Sequence, residues 1–116
     1  MHELENAQCQ ACRGDAVAVD AAQALRLLQA LEGWRIETRD GVRQLEKTYT
    51  LGNFADALAL TVAIGAQAEA QDHHPALLTE WGKVTVTWWT HAIGGLHLND
   101  FIMAARTERL ALDARA

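Results

Sequence analysis

Apolar residues return at helical spacing over Ala24, Leu27, Leu28 and Leu31, which places them on one side of a helix. Asp20, with Gln23 three positions on, has the form of a capping box. Gly33 stands where a helix end often needs a left-handed residue. These signals predict a first helix starting at Asp20. From Trp34 to Thr50 the pattern changes to alternation around Asp40-Gly41, a dipeptide whose turn matches the twist of paired strands. A two-residue loop sets Arg39 opposite Val42, Ile36 opposite Leu45 and Arg35 opposite Glu46. Apolar then meets apolar on one face, and plus meets minus on the other.

The same reading continues through the second half. Asn53 caps a second helix with Asp56 in its first turn, running to about Ala70. Its apolar residues (Phe54, Ala57, Leu58, Leu60, Val62 and Ile64) spread over most of the circumference. Such a helix needs cover on more than one side, which points to self-association. A second strand pair is predicted to turn at Gly82-Lys83, with Trp81 beside Val84 and Leu77 beside Trp88. Val84, Val86 and Trp88 then share one face. Thr85, Thr87, Trp89 and His91 share the other if the strand runs that far. After a Gly94-Gly95 loop, Asn99 is predicted to cap a last helix from about Asp100 to Leu112, its apolar stripe interrupted by Glu108. The order helix, strand, strand, helix, strand, strand, helix predicts an α+β domain, a four-stranded antiparallel sheet with three helices packed on one face.

Composition narrows the function classes. The chain has 116 residues, 50% hydrophobic, and a formal net charge of -5. That suits one domain with an adequate core. No cluster of Lys and Arg offers a footprint for nucleic acid. No apolar run has the length of a membrane span or the form of a secretory signal, so a cytoplasmic protein is expected. Residues 1–18 read as a flexible polar tail, and 19–116 as the domain. The tail holds Cys9 and Cys12. The missing second cysteine pair argues against a cysteine zinc site, even with His2 nearby.

Three histidines, His73, His74 and His91, fall close together in sequence, and imidazole suits proton transfer near neutral pH. Pro75 disfavours helix at His74, so the pair is expected in extended chain with diverging side chains. His91 lies at a strand end before a glycine loop, a favoured place for functional groups. Three histidines can also hold zinc, but an adjacent pair is awkward for one tetrahedral ion. Asp100 is either a first-turn acid favoured by the helix dipole or one that orients a histidine, and Glu69 is either a surface acid or one that raises the basicity of the histidines after it. Trp89 can flank a flat heterocycle. His97 lies in a predicted loop and has no assigned role.

The segment from Glu69 to Ala105 resembles the pterin-4a-carbinolamine dehydratase family. The resemblance is carried by Asp72-His73-His74-Pro75, Thr90-His91, Gly95-Leu96 and Asn99-Asp100-Phe101. It extends more weakly over residues 20–112. It implies a hydro-lyase that removes water from 4a-hydroxytetrahydrobiopterin to give the quinonoid dihydropterin, recycling the pterin of aromatic amino-acid hydroxylases such as those acting on phenylalanine. No cofactor and no metal are implied. His73 and His91 become the acid/base candidates, with His74 binding and orienting the pterin. Pro75, Thr90, Ala92 and Ile93 line the pocket, and Asp100 and Glu69 support the histidines. Leu77 stands where many relatives carry tryptophan, so Trp81 or Trp89 would have to replace that wall. The resemblance further implies a homodimer or a dimer of dimers, and a functional link to a hydroxylase. The competing implication is a protein-binding regulator built on the same fold.

Overall fold

The computed structural model describes residues 18–115, so Cys9, Cys12 and His2 lie outside the described residues. In chain order the elements are α1 (Ala21–Gln29), β1 (Arg35–Arg39), β2 (Val42–Thr50), α2 (Phe54–Gln71), β3 (Ala76–Glu80), β4 (Lys83–Trp88), a 3-10 turn (His91–Ile93) and α3 (Leu98–Arg115). The strands form one sheet in the order β1-β2-β4-β3, every neighbouring pair antiparallel. Among the described residues no helix is long and apolar enough to cross a membrane.

Local chemistry sets the boundaries. Asp20 accepts the Gln23 N–H at 2.8 Å and starts α1. That helix ends at Gln29, so Leu31 reaches the core from the following turn. Asp40 and Gly41 both have positive φ, the turn expected of Asp-Gly, and the β1–β2 register is the expected one. Asn53 Oδ1 accepts the Asp56 N–H at 2.8 Å to start α2.

The second hairpin differs from expectation. Its turn is Trp81-Gly82, with Glu80 opposite Lys83 and Leu77 opposite Val86. Gly82 has φ +73, which glycine adopts at little cost, and its carbonyl accepts the Leu51 N–H at 2.8 Å. Turning one residue earlier keeps Leu77 on the helix side but leaves Trp81 at the hairpin tip, 71% exposed. The last helix also differs. It begins at Leu98, and Asn99 lies within its first turn rather than capping it. His97 takes the capping position.

The core lies between the helices and one sheet face. Leu45, Tyr49, Val84, Val86 and Trp88 from the sheet meet Ala57, Leu60, Ile64 and Ala68 of α2, and Phe101, Met103, Ala104 and Ala105 of α3. Glu108, an interruption of the stripe in sequence, is buried. Its Oε1 accepts hydrogen bonds from Trp34 Nε1, Lys47 Nζ and Tyr49 OH, fastening α3 to the sheet. Phe54, Leu58 and Val62 stay exposed along the other side of α2.

The sheet's second face carries the cross-strand charge pair. Glu46 accepts from Arg35 Nη2 at 2.7 Å, from Arg39 Nη2 at 3.0 Å and from Thr87 Oγ1 at 2.7 Å. The Arg39 hydrogen bond, with help from Thr87 and the nearby guanidinium charges, outweighs desolvation and holds the Glu46 carboxyl below its ordinary value. Stabilisation from a lowered carboxyl is fully present above the unfolded-chain value, about 4.3, and is lost as pH falls through the lower folded value. Melting temperature against pH for wild type and Glu46→Gln is therefore expected to show a gap that is constant above about pH 6 and narrows as the medium is acidified below about pH 5.

Candidate acid/base site

The end of α2 places the first histidine. Asp72 closes the helix in the left-handed conformation (φ 51), which a short polar residue tolerates. The His73 N–H then donates to the Ala68 carbonyl at 3.1 Å, and the chain leaves as extended backbone toward β3. This sends the two neighbouring imidazoles different ways. His73 turns inward, 5% exposed, with its ring stacked on Trp88 at 5.7 Å between centroids. His74 stays exposed, and its Nε2 meets Glu69 Oε1 at 2.5 Å.

The end of β4 supplies the opposite wall. Thr90 pairs with Gly95 across the short loop, and between them His91–Ile93 forms a 3-10 turn. His91 is thus carried on a turn rather than on the strand. Asp72, His73, His74, Thr90, His91 and Ala92 line one open concavity of about 410 Å³.

Behind this wall lies Asp100, 0% exposed. Its Oδ2 accepts Thr90 Oγ1–H at 2.8 Å and the His97 N–H at 2.9 Å, while Oδ1 meets His73 Nε2 at 2.7 Å. A carboxylate already accepting two donors accepts the third, so His73 donates through Nε2 and its neutral ring carries the lone pair on Nδ1. A buried imidazole held by a carboxylate beside a second, exposed imidazole is an arrangement able to give and take protons.

The remaining candidates are distributed as follows. Pro75 and Ile93 flank the lining residues but do not themselves line the concavity. Trp89 packs its ring on His91, 4.5 Å between centroids, and faces a neighbouring hollow on the sheet's second face with Arg39 and Glu46. Trp81 sits at the hairpin tip, the opposite end of β3 and β4 from the histidines, and is no wall of this site. The three-histidine metal arrangement is not assembled: among the described residues no three His, Cys, Asp or Glu side chains converge as metal ligands. His97, given no role from sequence, touches both Asp100 and Asn99. The signal for it was its position, three residues before Asp100.

A four-stranded antiparallel sheet backed by helices, with histidines gathered where one hairpin begins and ends, defines an α+β protein with a histidine-lined concavity at the sheet end. Residues 17–110 match the family model for pterin 4 alpha carbinolamine dehydratase, and the chain belongs to that family. It is similar to a transcriptional coactivator/pterin dehydratase from Brucella melitensis, at 26% identity and a TM-score of 0.74, over 82% of this chain and 99% of that one. It is also similar to a pterin dehydratase-like protein identified as a RuBisCO assembly factor in the alpha-carboxysome, at 25% identity and a TM-score of 0.59, over 69% and 90% of the two chains.

Removing the Asp100 carboxylate leaves the donors of His73, Thr90 and His97 without their acceptor. Asp100→Ala is expected to cost about 3 kcal/mol in urea unfolding, and Asp100→Asn, which keeps one carbonyl oxygen, clearly less.

Proposed function

We propose that the protein is a 4a-hydroxytetrahydropterin dehydratase that works by histidine acid/base catalysis. The observation carrying this reading is the convergence of His73, His74 and His91 on one concavity, with His73 held by the buried Asp100. Family membership supplies the substrate class.

The reaction needs little else. The C4a–O bond breaks, the hydroxyl leaves as water after gaining a proton, and a pterin ring N–H loses one. The products are quinonoid dihydropterin and water, so proton count and electrons balance without an external reductant. His73 and His91 are the acid/base pair. Asp100 sets the His73 tautomer and stabilises its ring when protonated. His74, steadied by Glu69, orients the pterin from the rim, and Thr90 and Ala92 shape the opposite side. Trp89, facing the neighbouring hollow, supports the site only by packing on His91. The pterin cofactor of aromatic amino-acid hydroxylases, including phenylalanine hydroxylation, is the recycled species on this reading.

Dehydration of freshly made 4a-hydroxytetrahydropterin, followed by ultraviolet absorbance, tests it. Wild type is expected to accelerate the reaction equally with and without chelator, and His73→Ala or His91→Ala to lose about 10²-fold or more in kcat. A folded wild-type protein that gives no acceleration would sink the dehydratase reading and favour the protein-binding regulator, a role in keeping with the coactivator and assembly-factor descriptions of its structural neighbours.

The exposed Phe54, Leu58 and Val62 recur every fourth residue, one stripe along an 18-residue helix. The occupant we assign to it is a second copy of this chain, in a homodimer or a dimer of dimers. Leu58→Lys with Val62→Glu is expected to shift sedimentation toward the monomer while leaving far-ultraviolet circular dichroism unchanged.

A further inference from the structure

His97 does not line the concavity, yet it is only 7% exposed and is tied to the first turn of α3 in three ways. Its Nδ1 accepts the Asn99 N–H at 3.0 Å, its carbonyl accepts the Asp100 N–H at 3.0 Å, and its own N–H donates to Asp100 Oδ2 at 2.9 Å. The side chain before the helix satisfies an orphan N–H, and the acid three residues on reaches back to the cap N–H. This is a reciprocal capping box in which an imidazole stands where Ser, Thr, Asp or Asn usually does. Because Nδ1 accepts, the neutral ring carries its proton on Nε2.

The acid of this box is the same residue that holds His73. Two donors fix Oδ2 of Asp100, the His97 N–H and Thr90 Oγ1–H, and together they set the plane of the carboxylate. Oδ1 is then directed at His73 Nε2. Freeing the first turn of α3 lets Asp100 rotate and shortens the time it spends on His73. We propose that His97 is a positioning residue: its imidazole cap fixes the turn that holds Asp100, and Asp100 fixes His73. Its effect on turnover rests on the dehydratase reading above; its effect on the His73 ring does not.

The test compares His97→Ala, which removes the side-chain acceptor, with His97→Asn, which offers an amide oxygen to the same N–H. Both retain the backbone N–H that reaches Asp100. Two readouts are taken on variants verified as folded by near-ultraviolet circular dichroism: solvent exchange of the His73 Nε2–H by nitrogen-15 NMR, and kcat and KM for dehydration. In His97→Ala, exchange is expected to quicken by about 10-fold and kcat to fall by about 10-fold with KM within about twofold, the signature of lost positioning rather than lost binding. His97→Asn is expected to restore both to within about threefold of wild type. In an Asp100→Asn background, His97→Ala is expected to add no further loss of kcat, since both act through one carboxylate.

A His97→Ala protein with wild-type His73 exchange overturns the proposal, even if its melting temperature has dropped, because His97 is then a cap and nothing more. Additive losses in the double variant overturn it as well. If wild type itself shows no dehydration, the functional reading fails, and the exchange measurement alone still decides the role of His97.

Discussion

The buried carboxylate of Asp100 is the constraint around which this end of the molecule is arranged. An ionised group withdrawn from water is unstable unless hydrogen-bond donors surround it. Three parts of the chain supply them: the exit of α2 through His73, the end of β4 through Thr90, and the start of α3 through the His97 N–H. These parts meet because they must satisfy one charge, and the two sides of the concavity are thereby fixed to each other. Glu108, roughly two turns further along α3, repeats the device. It joins the helix to Trp34 and to Lys47 and Tyr49 of β2. Two buried acids thus fasten one helix to the sheet at separate points, and the apolar contacts between them fill the space they define.

The two faces of the sheet are held differently. Toward the helices, Leu45, Val84, Val86 and Trp88 are buried by apolar packing. On the other face, order comes from a polar lattice in which two arginines and a threonine converge on Glu46. Glu46 and Thr87 are nearly inaccessible although no element among the described residues covers them, because the neighbouring long side chains do so. The hydrogen-bonded carboxylate also fixes the register of β1, β2 and β4 relative to one another.

Much of this was legible in the sequence, and the failures have physical causes. Asp40-Gly41 needs positive φ at both positions, so it declares its own turn and with it the β1–β2 pairing. Gly82 needs positive φ only at itself, and a single glycine can be the first or the second residue of a turn. Reading it as the first put Leu77 against Trp88 rather than Val86. The histidines were visible as a group, and Asp100 as an acid near them. His97 was not, because imidazole is outside the usual set of capping side chains and only the fold shows its Nδ1 over the Asn99 N–H. In the sequence Glu108 looks like a break in an apolar stripe, because a charge in a helix usually marks the solvent side. What hid its burial is that its partners come from β2 and the turn before β1, far away in sequence.

The Trp81-Gly82 turn acts at a distance from itself. His73 and His74 lie just before β3, separated from it by Pro75, and Thr90 and His91 closely follow β4, so the two groups sit at the open end of a hairpin whose closed end is that turn. Continued beyond Ala76 and Thr87, the same ladder sets His73 across from Thr90. The hairpin therefore works as a ruler: the place of its turn between the two arms decides which residues stand face to face at the mouth. Two residues gained or lost in one arm, with the turn left where it is, would slide one wall past the other by about 7 Å, the rise of two strand residues. Arms of matched length on either side of the Gly82 turn are thus part of the site, and the position of that turn between the two histidine segments carries information that the histidines themselves do not.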